Sequence, residues 1–188
     1  MRFKNLIILL SLVFTTTVSF SQEEQGGGGF DKSKMFFGGN FGVSFGNSTF
    51  VNVSPLAGYR FNSWLAAGAG INFIYSSFTT RDYNGDKLYR DEYGTAGTYI
   101  FGRVYPVQFA FLQVQPEFNY TWGKTKFYYG NIPDLKLEGA YVPSLLVGAG
   151  AALPAGSGAI ILMIQYDVIQ DGRSPYGRNP FFTIGFNF

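Results

Sequence analysis

The sequence predicts an all-β protein: a transmembrane, eight-stranded, antiparallel up-and-down β-barrel with short periplasmic turns and longer extracellular loops. Three observations carry the prediction. From Met35 onward, apolar and polar residues alternate with a period of two rather than 3.6, the mark of strands with two unlike faces. The alternating runs number eight, and most reach about ten residues or more, the length of a tilted strand that crosses a bilayer. Charged residues are only 14% against 19% aromatic, and the polar face is built from Gly, Ser, Asn, Gln and Thr with almost no Lys, unlike a solvated sheet face.

The 188 residues give room for one domain behind a leader. Arg2 and Lys4 make a positive start, and Leu6 to Val13 form an apolar core that runs on through Phe14 and Val18. Ser19-Phe20-Ser21 then supplies small residues for cleavage, so residues 1–21 read as a signal peptide and Gln22 as the first mature residue. The run is short for a spanning helix, which needs about 20 apolar residues. No Cys follows it to carry a lipid anchor. Residues 22–34, QEEQGGGGFDKSK, are polar and Gly-rich and read as a flexible linker. Their four glycines lack the Lys-Ser/Thr and the helix of a phosphate-binding loop. The barrel domain is 35–188.

In the first strand Phe37, Phe41, Val43 and Phe45 oppose Gly38, Asn40, Gly42 and Ser44. The second sets Val51, Val53, Pro55, Ala57, Tyr59 and Phe61 against Asn52, Ser54, Leu56, Gly58 and Arg60. The third, from Leu65, sets Ala67, Ala69, Ile71, Phe73 and Tyr75 against Gly68, Gly70, Asn72 and Ser76. The fourth covers Ala96–Tyr105. The fifth alternates most cleanly, with Leu112, Val114, Pro116, Phe118, Tyr120 and Trp122 against Gln113, Gln115, Glu117, Asn119 and Thr121. Tyr141–Leu153, Ile160–Ile169 and the terminal PFFTIGFNF complete the set. Connections near Asn62, Pro106 and Pro154–Gly158 are short. Those at 79–94, 124–138 and 170–179 are long, and only the connection around Asn47 breaks the alternation. A soluble lipocalin-type barrel would put the aromatic face inside, but an eight-stranded interior is narrow and suits the small, Gly-rich face better.

The fourth strand is ambiguous, since Ile100 and Val104 share one face and Tyr99, Phe101, Arg103 and Tyr105 the other. Asn84-Gly85 is the preferred pair for a two-residue type I′ turn, which sets Tyr83 opposite Asp86 and Asp82 opposite Lys87. Continued without a bulge, that ladder sets Ile71 opposite Thr98, Ala69 opposite Ile100 and Leu65 opposite Val104. Arg103 then faces inward, and Gly70 and Gly68 face Tyr99 and Phe101. Four charged residues, Arg60, Arg103, Glu117 and Asp167, fall on the inner face and balance in sign, so an internal ion-pair cluster that plugs the lumen is expected. On the lipid face an arginine at mid-bilayer would cost about 2–4 kcal/mol.

Glu117 with Asp167 is the one carboxylate pair placed for acid–base work, and salt bridges to the two arginines explain it better. Asp82, Asn84 and Asp86 start like an EF-hand loop, but the glycine is two places early and Tyr93 stands where the closing Glu belongs. There is no His and no Cys, so zinc and thiolate chemistry on those ligands is excluded, and neither metal nor cofactor is expected. A net charge of +2 with no basic stripe gives no reason to expect nucleic acid. Aromatics near strand ends (Tyr59, Trp64, Tyr75, Tyr120, Trp122, Tyr141 and Tyr166) read as interfacial girdles.

With "SPLAGYRF", "FGRVYP" and the terminal "FFTIGFNF", the mature chain resembles the small OmpA/OmpX-like, porin-like outer-membrane β-barrel proteins. The resemblance implies that Phe182, Ile184, Phe186 and Phe188 form a C-terminal signal for the barrel assembly machinery. It implies a monomer in the outer membrane of a Gram-negative cell, in contact with lipid and lipopolysaccharide. No peptidoglycan-binding domain is expected after Phe188. Barrel enzymes of that membrane use a catalytic His, which this chain lacks, so a non-enzymatic role is expected: envelope integrity, or surface contacts through the loops 79–94, 124–138 and 170–179, the first two of them Tyr-rich. A narrow channel for small solutes is the alternative.

Overall fold

A computed structural model describes residues 31–44, 48–130 and 132–188. The expected signal peptide, most of the linker, Phe45 and Asn47 lie outside the described residues. After a short 3-10 turn at Lys32–Lys34 come β1 (Met35–Ser44), β2 (Ser48–Arg60), β3 (Leu65–Arg81) and β4 (Lys87–Val107). They are followed by β5 (Ala110–Phe127), β6 (Leu135–Ala155), β7 (Gly158–Asp167) and β8 (Phe181–Asn187). Each strand pairs antiparallel with its chain neighbour, and β8 closes on β1. The closing rung reaches the last residue: Phe37 N donates to Phe188 O at 2.9 Å and Phe188 N to Phe37 O at 2.8 Å.

Followed once around the barrel, the registers return to β1 about ten residues further along the strand. A stagger of that size tilts the strands by about 35–45° and fixes a narrow bore. Alternation along every strand then sorts side chains by size. Outside stand Ile71, Ile100, Leu112, Phe118, Phe182 and Ile184, each more than half exposed. Inside, large residues face glycines. A Cβ on Gly70 would meet the Tyr99 hydroxyl at 2.5 Å and Pro55 O at 2.6 Å, and one on Gly68 would strike Gly58 Cα at 2.7 Å. These glycines are what let Tyr99 and Phe101 lie across the bore.

The register expected for β3 and β4 holds, with Ile71 opposite Thr98, Ala69 opposite Ile100 and Leu65 opposite Val104. Its origin differs from the two-residue turn. Gly85 N donates to Asp82 O at 3.1 Å and Asp82 N to Asp86 O at 2.8 Å, with Gly85 at φ 89°. This is a three-residue loop with a left-handed glycine. Its extra residue is cancelled at Leu88, where Arg81 pairs with Lys87 but Thr80 pairs with Tyr89. The Asp82–Lys87 cross-strand pair is therefore not formed. The Asp82 carboxylate instead accepts from Asn84 N at 2.9 Å and Asp86 N at 2.8 Å.

Segments 79–94 and 124–138 are largely strand rather than loop, because the β3–β4, β4–β5 and β5–β6 ladders continue outward past the closed part of the barrel. Among the described residues, the irregular stretches there are 82–86, 128–130 and 132–134, and 168–180, which joins β7 to β8. At the opposite end the turns are tight. Asn62 Oδ1 accepts from Trp64 N at 3.0 Å and Leu65 N at 2.8 Å. Pro106 lies inside β4, where the register with β5 shifts, and the turn is 108–109. A residue without an N–H fits such an irregularity. These two ends are called the hairpin end and the turn end below.

Candidate functional site

The inner faces of β4 and β5 organise the interior. Toward the turn end it is apolar, with Ala66, Tyr105, Phe111, Ile161 and Met163 packed together and Leu56, Tyr99 and Phe101 beside them. Toward the hairpin end it is polar, with Asn72, Gln115, Glu117, Asn119, Thr121 and Ser144 buried.

Arg103 and Glu117, 2% and 5% exposed, sit at the two ends of one hydrogen-bonded row. Arg103 Nε donates to Gln113 Oε1, Gln113 Nε2 to Gln115 Oε1, and Gln115 Nε2 to Glu117 Oε1 at 2.6 Å. Residues 113, 115 and 117 share the inner face of β5 because that face repeats every second residue. The polarity of the row is fixed by its ends, since a guanidinium only donates and a carboxylate only accepts. Arg103 is further held between rings, its Cζ 4.9 Å from the Phe101 centroid and 4.8 Å from that of Phe111. Asn187, its amide turned to present oxygen, accepts from Nη1 at 3.2 Å.

At the other end, Glu117 Oε2 accepts from Tyr176 OH at 2.7 Å, Asn119 Nδ2 at 3.0 Å and Asn72 Nδ2 at 3.2 Å. Tyr176 belongs to the 168–180 connection, which folds back into the mouth of the barrel. Its ring stacks on Phe181 at 4.9 Å with 9° between planes. Burial, then the Glu117 carboxylate, hold its hydroxyl proton well above the ordinary tyrosine value. Asp167, almost fully buried, ties down the same connection: it accepts from Ser174 Oγ at 2.7 Å and from Leu145 N and Ile169 N at 3.1 Å each.

The four charged residues expected as an ion-pair cluster are thus partnered differently. Among the described residues, no carboxylate oxygen lies within 4.0 Å of Arg60 or Arg103; the ion pairs there are Arg90–Glu92 and Lys124–Glu92, both at 3.2 Å. The reason is register. Arg103 lies opposite Gln113 and Glu117 opposite Tyr99, two inward positions further along. Arg60 is exposed at the turn end, its Cζ 4.9 Å from the Tyr105 ring. Asp167 is satisfied by backbone and Ser174. Arg103 and Glu117 are linked through Gln113 and Gln115, and the residues missed by sequence reasoning are those two amides, Asn72 and Asn119, with Tyr176. The alternation Gln-x-Gln-x-Glu-x-Asn over 113–119 was a usable signal for the row. Nothing in the sequence marked Tyr176.

The outward aromatics fall into two places. Near the hairpin end Tyr141 stacks on Phe118 at 5.1 Å and meets Tyr120 edge-on at 5.2 Å, with Trp122 6.0 Å from Tyr120. Tyr75 joins them on the outward face, since Tyr75 and Trp122 both lie opposite Gly94. At the turn end stand Trp64, over half exposed, and Tyr59, edge-on to Phe61 at 5.3 Å. Tyr166 lies apart from both groups, opposite Val147. Phe182, Ile184, Phe186 and Phe188 all point outward, with Phe186 stacked on Phe188 at 6.0 Å.

No protein-family model and no curated protein matches the chain.

Proposed function

We propose that the chain is a non-enzymatic integral protein of the outer membrane, a closed barrel that supports the envelope or makes surface contacts through its hairpin end. One observation carries the closed reading: the bore is filled from the Phe101–Arg103–Phe111 layer to Tyr176, by side chains that hydrogen-bond or pack across it. The outward rows of Phe, Ile, Leu and Val support a lipid environment, because in water so large an apolar face would be a liability. In lipid every backbone amide of a spanning sheet must be paired, and a closed barrel does this. The OmpA/OmpX-like resemblance, the leader and the aromatic groups at both ends agree with this reading.

A narrow channel is the second reading, favoured by a vestibule of about 450 Å³ at the hairpin end, lined in part by Ser76, Thr95, Thr121 and Ser174. Planar-bilayer recording of the folded protein separates the two. Silence is the expected result, and a reproducible unit conductance refutes the closed reading. Outer-membrane fractionation, with a gel shift between unheated and boiled protein, tests the location and the barrel together.

A further inference from the structure

Beyond the closed part of the barrel, the outward faces of β4, β5 and β6 bring cations into direct opposition. Arg90 pairs with Lys126, and Lys124 with Lys136. Like charges directly across a sheet repel. One carboxylate, Glu92, is shared between Arg90 Nε and Lys124 Nζ at 3.2 Å each. Among the described residues, no carboxylate oxygen lies within 4.0 Å of Lys136 or Lys126 Nζ. Lys124 and Lys136 gather with Glu92 and Glu138, and the Arg90–Lys126 pair flanks them on β4 and β5.

The same place is a groove of about 400 Å³ whose lining is mainly apolar, with Tyr75 and Trp122 in its floor and Lys124 and Lys136 at its edge. Gly94 makes the floor flat, because a Cβ there would strike the Trp122 indole. The floor continues along β5 through Tyr120 into the apolar outward face at Phe118. Cations directly above an aromatic and apolar strip match an amphiphile whose anionic head joins to a hydrophobic body.

We propose that this groove binds the phosphate-bearing headgroup of an outer-leaflet glycolipid, with Lys124 and Lys136 on the phosphate and Trp122 and Tyr75 against the adjoining part of the lipid. The inference rests on the reading of the chain as an outer-membrane barrel. It commits to a lipid rather than a free anion because the cationic edge is continuous with the apolar face.

The test uses the mature chain folded in detergent micelles, with Trp64→Phe so that Trp122 is the one remaining indole. Titration with phosphorylated lipopolysaccharide is expected to give a saturable change in Trp122 emission. Adding Lys124→Gln and Lys136→Gln together should weaken it roughly tenfold or more, since each basic residue at a lipid surface contributes about a factor of five. Dephosphorylated glycolipid should bind as weakly to the parent chain as phosphorylated glycolipid binds to the double variant. Lys124→Arg with Lys136→Arg should retain binding, which separates lost charge from lost fold. Equal binding of the dephosphorylated glycolipid, or full binding by the Gln variant, overturns the site. Saturation by inorganic phosphate that displaces the glycolipid overturns the lipid assignment. The unheated-against-boiled gel shift of the parent chain is read separately: its absence overturns the barrel reading, and the site with it, whereas its presence with no glycolipid response overturns the site alone.

Discussion

Replacing Glu117 by Leu removes the acceptor on which the polar half of the interior converges. Four side-chain donors reach this carboxylate: Gln115 Nε2, Asn119 Nδ2, Asn72 Nδ2 and Tyr176 OH. Asn72 Nδ2 also donates to Asn119 Oδ1 at 3.0 Å and to the Tyr176 hydroxyl oxygen at 3.2 Å, so that donor keeps an acceptor. Gln115 Nε2, Asn119 Nδ2 and the Tyr176 hydroxyl proton lose their acceptor. Each orphaned buried donor costs about 1–3 kcal/mol, so for three a loss of about 6 kcal/mol is expected, reduced by the charge no longer buried. Glu117→Gln keeps one oxygen and should lose about half as much. Urea unfolding of the barrel in phospholipid vesicles, followed by Trp fluorescence and by the unheated gel band, measures both. A Leu variant within about 1 kcal/mol of the parent refutes the row as a structural element. Destabilisation by Leu without any change on Tyr176→Phe refutes the locking of the 168–180 connection by this carboxylate.

Gly97→Ala is expected to lose about 1–3 kcal/mol, because its Cβ would meet Phe118 O and Asn72 Oδ1 at 2.7 Å, while Gly102→Ala, with nothing within 4 Å, should be neutral in the same urea assay. Ile100→Arg, on the outward face, should cost about 2–4 kcal/mol in vesicles if that face meets lipid, and near zero if it meets water. Deleting Phe188 removes both of its backbone bonds to Phe37 and should lower the yield of the folded gel band more than a deletion within 82–86; equal yields would count against it. The folded state keeps the Tyr176 proton past the pH at which an unfolded tyrosine loses it. Stability from this group is therefore full below about pH 10 and declines as pH rises above that value, a decline that alkaline urea unfolding should show for the parent and not for Tyr176→Phe.

Strand number and facing were legible because period-two patterning is a property of each strand by itself. Ile100 outward and Arg103 inward also followed, through the ladder anchored near Asn84-Gly85. Yet the turn carries one residue more than the Asn-Gly rule allows, and the bulge at Leu88 removes the offset before Thr80–Tyr89. A correct register thus emerged from two deviations of opposite sign. Turn chemistry is local, whereas bulges respond to twist and to ladders on both sides, as at Leu88 between β3 and β5. Strand ends were less legible for a related reason. Thr79–Arg81 and Lys124–Phe127 are polar enough to read as loop, but a neighbouring ladder extends them.

Charge balance on the inner face suggested ion pairs, and geometry explains why amides serve instead. A narrow barrel places inward side chains of adjacent strands in fixed opposition, so two charges meet only if the register makes them neighbours. Arg103 faces Gln113, and Glu117 faces Tyr99. Gln113 and Gln115 lie between, each able to accept at one end and donate at the other. A row of this kind spans the gap without an unsatisfied charge, and it transmits direction: the Arg end sets which amide atom faces the next. The consequence reaches the mouth of the barrel. Because Glu117 receives only donors from within, its remaining lone pairs favour a further donor from above, and Tyr176 supplies it at 2.7 Å. The closure of the hairpin end is thereby built on a charge seated two inward positions from Gln113.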